Sequence, residues 1–468
     1  MNSLYINVDK VIEMAVLKKP KKKKSSYKTI PGEPLLLKSN NKEIEYDDLT
    51  RSQKEAWSIF EDWYHGSKKH KPILRIGGCA GVGKTFLIKF ILQQLNLMDD
   101  ECYVVAYTGQ AVNVLRQGGI IAKTIHSTFF KSKDVPLLND KGEPMYRSGI
   151  PLMKTKFTPI KKLPGSVKLI IVDEASFLSE SLQDMIADYN VPILETGDPI
   201  QLPPVTGKQC FMLDNLDYFM TDVMRQALDS EIIDLATRIR TYTPVNIHSY
   251  RNEVQFLWQQ DAPEATFHRF KPFFKGSDII LSTTNKQRQV YTDMYRKYIV
   301  KTDSPYPRKG ERMICRKNDW NTKLGPYPLT NGTQGICAYN VAKSDIDPVT
   351  KVYTMDFIPD HTPDMAFEGL LCDAKFLGAP FGDKDMSYYE RLNPGKKFEY
   401  AHVITVHASQ GVTANTVMFL DSFMGHNTQE YHMRLRYTAV TRAKSKLYYV
   451  LPRSAKNPTW TDLTYGGY

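Results

Sequence analysis

Short apolar runs that stop at small or polar residues recur along this chain, and helical spacing usually follows them. The first, Pro72-Ile73-Leu74-Arg75-Ile76, is bounded by Pro and Gly and reads as a buried strand. An apolar helix begins at Phe86-Leu87-Ile88-Lys89-Phe90-Ile91-Leu92. Cys102-Tyr103-Val104-Val105-Ala106-Tyr107 predicts a second strand, closed by Thr108-Gly109-Gln110 ahead of a helix from Ala111. Val167-Lys168-Leu169-Ile170-Ile171-Val172 is strongly apolar and ends in Asp173-Glu174-Ala175-Ser176. Val191-Pro192-Ile193-Leu194 runs into the turn Gly197-Asp198-Pro199-Ile200-Gln201-Leu202-Pro203-Pro204-Val205, and a helix follows over Ile232–Arg240. Strand and helix in alternation predict a parallel sheet flanked by helices, where ligands gather at the carboxyl ends of the strands. Upstream, Thr50 or Ser52 is placed to cap a helix whose apolar face is Ala56, Trp57, Ile59 and Phe60.

A second α/β unit starts at Asp278-Ile279-Ile280-Leu281-Ser282-Thr283-Thr284-Asn285, before a helix over Gln287–Lys297. It resumes with a strand over Tyr400–His407, a strand at Thr416–Leu420, a helix ending in Tyr437–Ala443 and a last strand at Lys446–Leu451. Between them, 304–397 is rich in Gly, Pro and short alternating runs such as Lys351–Phe357, so it reads as a β-rich insertion, a small barrel. A second insertion, 131–166, is basic and contains the turn signal Asn139-Asp140-Lys141-Gly142 and the aromatics Tyr146 and Phe157. It fits either a surface β-hairpin or a mobile basic loop. The expected organisation is a basic tail (1–44), a first unit (45–225), a second unit (226–303 and 398–455) interrupted by 304–397, and a C-terminal tail (456–468).

Length and charge narrow the partners. A chain of 468 residues holds about three domains. The net charge of +11 favours an anionic partner such as nucleic acid, although Lys18-Lys19-Pro20-Lys21-Lys22-Lys23-Lys24 supplies much of it. The six cysteines form no C-x-x-C pair, which argues against a zinc site or a disulfide framework and suits a reducing compartment. No apolar run approaches the roughly 18 residues needed to span a bilayer. At the N-terminus the basic cluster follows the apolar stretch, the reverse of a signal peptide. A cytoplasmic protein is expected, with the lysine run a nuclear signal if the host is eukaryotic.

The chemistry is concentrated at Gly78-Cys79-Ala80-Gly81-Val82-Gly83-Lys84-Thr85, which fits G-x-x-x-x-G-K-[ST]. Its strand–loop–helix setting is the context this phosphate-cradling loop needs. The glycines let backbone N–H groups converge on a phosphate, and the helix N-terminus adds partial positive charge. Lys84 is then suited to the β/γ-phosphates and Thr85 to Mg²⁺. Asp173 and Glu174, placed at a sheet edge by the strand before them, suit Mg²⁺ orientation and activation of the attacking water. Gln201 is a candidate γ-phosphate sensor, and the Gln53 amide is able to read an adenine edge. A P-loop kinase or small-molecule ATPase also explains Lys84 and Asp173, but leaves the second α/β unit without a role.

In order, GCAGVGKT at 78–85, DEAS at 173–176, GDPIQLPPV at 197–205, VHASQG at 406–411 and YTAVTRA at 437–443 resemble the superfamily 1 helicases. The likeness is strongest to the RecD-like branch that includes the phage Dda helicase, and runs from Leu49 to Leu451. It implies two RecA-like lobes, with the basic segment as a strand-separating pin and the β-rich insertion as an SH3-like barrel bracing it. It implies ATP and Mg²⁺ as cofactors, with Gln53 on adenine, Lys84, Thr85, Asp173, Glu174 and Gln201 in the roles above, and Gln410 and Gly411 beside the nucleotide. Arg225 and Arg442 match the two arginines that reach the γ-phosphate. Strand contacts are implied near Thr108, His126, Asn285, Thr405 and His407, and Tyr146 and Phe157 are candidates for splitting the duplex. The expected protein is a monomeric helicase that moves 5′ to 3′ on single-stranded DNA and acts at duplex junctions, alongside replication or single-strand-binding proteins. A translocase that displaces proteins with little unwinding is the alternative.

Overall fold

The computed structural model describes residues 43–452 except 69, 137, 140–141, 148–149, 152, 205–206, 224–228, 325–326, 343–351, 378–394 and 423–427. The N-terminal lysine run, the C-terminal tail and Arg225 lie outside the described residues. Two parallel sheets form the frame. The first contains β1 (Ile73–Gly78), β2 (Cys102–Ala106) and β3 (Ala122–Thr124). Between β3 and the rest of that sheet come β4 (Phe130–Pro136), β5 (Tyr146–Arg147), β6 (Ile150–Pro151) and β7 (Met153–Pro159). The sheet is completed by β8 (Leu169–Asp173), β9 (Ile193–Gly197) and β10 (Tyr218–Met220), in the order β10-β1-β9-β8-β2-β3. Every ladder in it is parallel. Burial on both faces explains why β8 is apolar up to Asp173, and β9 is equally buried, its Glu195 and Thr196 included.

The second sheet begins with β11 (Val254–Trp258) and β12 (Ile279–Ser282). The chain then leaves for β13 (Arg312–Cys315), β14 (Asp319–Leu324), β15 (Tyr327–Leu329), β16 (Gln334–Cys337), β17 (Val352–Pro359), β18 (Phe367–Asp373) and β19 (Phe398–Tyr400). It returns as β20 (Val403–Thr405), β21 (Ala414–Leu420) and β22 (Ala443–Leu451), giving the parallel order β11-β22-β21-β12-β20. The excursion is an antiparallel sheet, β18-β17-β16-β13-β19, with its own core around Met313, Phe357 and Phe398. The main apolar cluster, in contrast, joins residues of both parallel sheets, from Leu74 and Val82 to Ala439 and Leu447.

One expected strand divides. Phe398–Tyr400 pairs with β13, whereas Val403–Thr405 pairs with β12, so the run 400–407 serves two sheets and not one. The turn at Ala401-His402 is fixed by distant partners. Ala401 N–H donates to the Arg312 carbonyl at 2.8 Å, and the His402 ring meets Glu311 at 3.2 Å. Glu311 also accepts from Arg296 at 2.8 Å, and the Arg296 guanidinium lies 4.1 Å from the centre of the Tyr400 ring. This buried cluster locks the exit and return of the inserted sheet to the second unit.

The basic segment pairs as a hairpin, β4 against β7, from Phe130↔Pro159 at its base to Pro136↔Met153. Gly142 has φ +80° and donates to the Asn139 carbonyl, which builds the turn beyond the ladder.

Candidate functional site

The phosphate loop leaves the carboxyl end of β1. Gly81 and Gly83 have φ of +84° and +76°, a region costly for residues with a Cβ. Gly83 caps the helix Lys84–Leu95 without a side chain, so the first N–H groups of that helix are not covered by its cap residue. Buried Leu87, Ile88, Phe90, Ile91 and Leu92 hold the helix against the sheet. Lys84 Nζ donates to the carbonyls of Gly78 at 2.9 Å and Cys79 at 3.2 Å, turning the ammonium inward across the loop.

Gln53 stands behind this loop. The cap is Thr50: its hydroxyl accepts from Gln53 N–H, and Gln53 Oε1 accepts from Thr50 N–H at 2.9 Å. Gln53 Nε2 donates to the carbonyls of Val82 at 3.0 Å and Gly83 at 3.2 Å. With its side chain fully buried, both ends of the amide are engaged in bracing the loop. Gln53 Oε1 keeps a second lone pair beyond the bond from Thr50 N–H.

Asp173 closes β8 and its Oδ1 accepts from the Thr196 hydroxyl at 2.9 Å. Glu174 follows in the left-handed region, φ 54° and ψ 43°, a strained backbone for a side-chain-bearing residue. Its Oε2 is buried without a hydrogen-bond partner. Burial raises both carboxyl pKa values, and the charge of Asp173 raises that of Glu174 further. Lys84 opposes both shifts, and Arg442 opposes the one at Glu174. An orphaned carboxylate oxygen beside a phosphate-type loop fits Mg²⁺ and a water as missing partners. Gly197 lets the next turn approach closely, because a Cβ there would meet the Ser176 nitrogen at 3.0 Å.

The second unit reaches this turn through several residues. On the helix Gln429–Val440, Arg434 donates to the carbonyls of Pro199 at 2.8 Å and Gln201 at 3.2 Å. Thr438 Oγ1 accepts from Leu202 N–H at 3.0 Å, and Gln410 Nε2 donates to the Leu202 carbonyl at 3.3 Å. Arg442 is buried; it donates to Gln201 Oε1 at 3.2 Å and is held by the carbonyls of Thr438 and Val412. The Tyr437 hydroxyl donates to Asp198 Oδ2 at 2.6 Å and accepts from Ala80 N–H at 2.9 Å. Thus Lys84, Glu174, Gln201 and Arg442 share one cleft. Arg434, Tyr437 and Thr438 were not singled out from the sequence. The available signal was a hydroxyl pair and an arginine inside an otherwise buried helical stretch.

The expected strand contacts lie at carboxyl ends of strands. Thr108 caps the helix Gly109–Gln117, accepting from Ala111 N–H, and a Cβ on Gly411 would come within 2.8 Å of its hydroxyl. Gly411 therefore touches the first unit. Asn285 opens the helix after β12 and is exposed, and Thr405 ends the adjacent β20. His407 meets the Tyr431 hydroxyl at 3.1 Å.

His126, two residues past the end of β3, is edge-on to Tyr107 at 5.9 Å, stacked on Phe130 with centroids 5.1 Å apart and edge-on to Phe157 at 6.2 Å. These rings, with Arg116, Lys123 and Lys323, line a cavity of about 450 Å³ between the first unit, the hairpin and the inserted sheet. Burial lowers the pKa of His126 and of His407. Phe157 pairs with Ser132 near the base of the hairpin, not at its tip. The Tyr146 side chain lies outside the described residues.

Comparison with known proteins follows this division. Residues 65–259 match the AAA domain family, and residues 400–450 match the UvrD-like helicase C-terminal domain. The ATP-dependent DNA helicase Pif1 of Campylobacter jejuni is 29% identical over 173 residues, 36% of this chain and 37% of that protein. The ATP-dependent DNA helicase dda of Enterobacteria phage T4 is 27% identical over 208 residues, 42% of this chain and 43% of that protein. The alignments therefore span about two-fifths of either relative. Among solved structures, a Bacteroides Pif1 helicase in complex with ADP-AlF3 and ssDNA has a TM-score of 0.48 at 17% identity, covering 89% of this chain and 96% of that one. A Pif1 helicase from Candida albicans has a TM-score of 0.44 at 16% identity, covering 87% and 95%. The likeness is to Pif1/RecD-like superfamily 1 DNA helicases as a group, and the narrower likeness to Dda is not singled out.

Proposed function

We propose that this chain is an ATP-dependent DNA helicase of the Pif1/RecD-like kind, moving along single-stranded DNA as the cleft between its two parallel-sheet units closes and opens. One observation carries the reading: the second unit meets the phosphate loop that holds Lys84 through Tyr437 and Ala80 N–H, and meets the Gln201 turn through Arg442. A nucleotide between them is able to report its state to both units at once.

The chain's own groups divide the work. The loop N–H groups and Lys84 would bind the phosphates, and Thr85 and Asp173 would hold Mg²⁺. That ion supplies neutralising charge on the phosphates when bound. Glu174 takes the proton of the attacking water as general base. Arg442 stabilises the charge that builds during phosphoryl transfer, and Gln201 links it to the turn that carries Asp198. Arg225 is the second arginine of this reading. The polymer lies along the strand ends carrying Thr108, Asn285, Thr405 and His407 and enters the basic, aromatic cavity at His126. Base stacking and phosphate contact there require no fixed sequence. Travel is 5′ to 3′, by a single copy of the chain. The inserted sheet, closing as a small barrel, braces the hairpin.

The test is ATP hydrolysis with and without single-stranded DNA, followed by strand separation on duplexes with 5′ or 3′ overhangs. DNA-stimulated hydrolysis with unwinding from the 5′ overhang is expected. Stimulation without unwinding would leave a protein-displacing translocase, and hydrolysis indifferent to DNA would end the motor reading.

A further inference from the structure

The bonds across the cleft are unequal in what they join. Arg434, Thr438 and Gln410 reach only the turn 199–202. Tyr437 also reaches the phosphate loop, through Ala80 N–H. The same hydroxyl donates to Asp198, a fully buried carboxylate whose other contacts are Ile200 N–H at 3.1 Å and a long 3.4 Å approach from Gln201 Nε2. One oxygen thus joins three segments: the phosphate loop, the turn holding Gln201, and the helix Gln429–Val440, two residues before Arg442. Its ring is buried, and burial together with the neighbouring Asp198 charge keeps the phenol protonated, so a donor hydrogen is always present.

We propose that Tyr437 is a positioning residue for ATP hydrolysis, a latch whose hydroxyl sets the register in which Arg442 meets the nucleotide. The inference rests on the nucleotide cleft of the function proposed above. When the lobes part, Asp198 loses its shortest hydrogen bond and Ala80 N–H loses its acceptor. In the closed cleft Asp198 is buried and Ala80 half-buried, so a missing partner there is poorly replaced by water. Closure is therefore favoured by the same contact that aligns the arginine. Tyr437 touches no reacting atom; it acts through the Asp198 turn and the helix that leads to Arg442.

Tyr437→Phe removes the hydroxyl and keeps the ring. Turnover at saturating ATP should fall at least about tenfold, the scale of one charge-assisted hydrogen bond, while KM for ATP stays within about threefold. Asp198→Asn should act alike, and the double variant should be no worse than the poorer single one, because one contact is being removed twice. Each variant is compared with the parent both with and without single-stranded DNA. DNA response in the parent tests the helicase reading by itself, whereas the variant-to-parent ratio in either condition tests the latch. Turnover of Tyr437→Phe within about twofold of the parent would overturn the proposal. So would losses that multiply in the double variant, or a rise in KM equal to the fall in turnover, which marks general damage to the site.

Discussion

The cleft between the two parallel-sheet units and the cavity beneath the hairpin are both junctions between parts of the chain, but they are built in opposite ways. The cleft is dense with short hydrogen bonds to buried groups, among them Tyr437 to Asp198 at 2.6 Å and Arg442 to Gln201 at 3.2 Å. The cavity is open and lined by rings and cations, including His126, Phe130, Phe157, Lys123 and Lys323. At that side, the first unit meets the inserted sheet through contacts such as Gln110 Nε2 to the Gly332 carbonyl at 3.0 Å and the close approach of Gly109 to Thr330. A reaction needs groups fixed in place, because preorganised dipoles stabilise charge without moving. A polymer that slides needs faces that accept any base. The contrast fits chemistry at the first junction and passage at the second.

The largest expected effect falls on the cleft. Lys84→Ala should abolish measurable ATP turnover while affinity for single-stranded DNA, read by fluorescence anisotropy, stays within about twofold, since polymer affinity comes from other contacts. Loss of both together would mean that the two junctions are not separate sites. Arg442→Ala should cut turnover by roughly 10³-fold, the scale of an arginine supplied to phosphoryl transfer, with nucleotide binding retained. A near-normal rate would show that closure of the units is not needed.

Smaller effects test the cavity and its support. Phe157→Ala should slow strand separation by about tenfold and leave DNA-stimulated hydrolysis within about twofold, as expected when one stacking platform is lost. Equal loss in both assays would tie the hairpin to the cleft instead.

The support is the buried cluster at the base of the inserted sheet. Burial pushes the Glu311 carboxyl up, but hydrogen bonds from His402 and Arg296 outweigh it and the net shift is down. Burial lowers the His402 pKa. A carboxylate with a depressed pKa stabilises the fold above its unfolded value and ceases to do so as the pH falls through its folded value. An imidazole kept neutral is penalised once the unfolded chain begins to take up protons, near pH 6.5. Both signs make the fold lose stability on acidification, His402 first, as the pH falls through about 6.5. His402→Gln should flatten the fall in melting temperature around that pH. Glu311→Gln should lower stability at neutral pH by about 3–5 kcal/mol, because it leaves Arg296 buried without its counter-charge. An unchanged melting curve would release the inserted sheet from the second unit.

Much of this was legible in the residues because it is local. Gly78–Thr85 between a buried run and an apolar helix specifies a phosphate loop, since the glycine conformations and the helix start are set by neighbours in sequence. The apolar strands ending at Asp173 and at Gly197 were legible for the same reason, as was the alternation in Val352–Pro359, where one face of the strand is buried. What the sequence could not supply depends on distant partners. The run 400–407 looks continuous, yet Glu311 and Arg312 turn it from one sheet into another. Nothing local in the sequence says that the Gln53 amide also reaches the carbonyls of Val82 and Gly83, some 30 positions on. Tyr437 looks like one more apolar ring in a helix. Only folding brings its hydroxyl between Ala80 and Asp198, respectively 357 and 239 positions away along the chain, because hydrogen bonds of that range are decided by how whole sheets and helices are stacked.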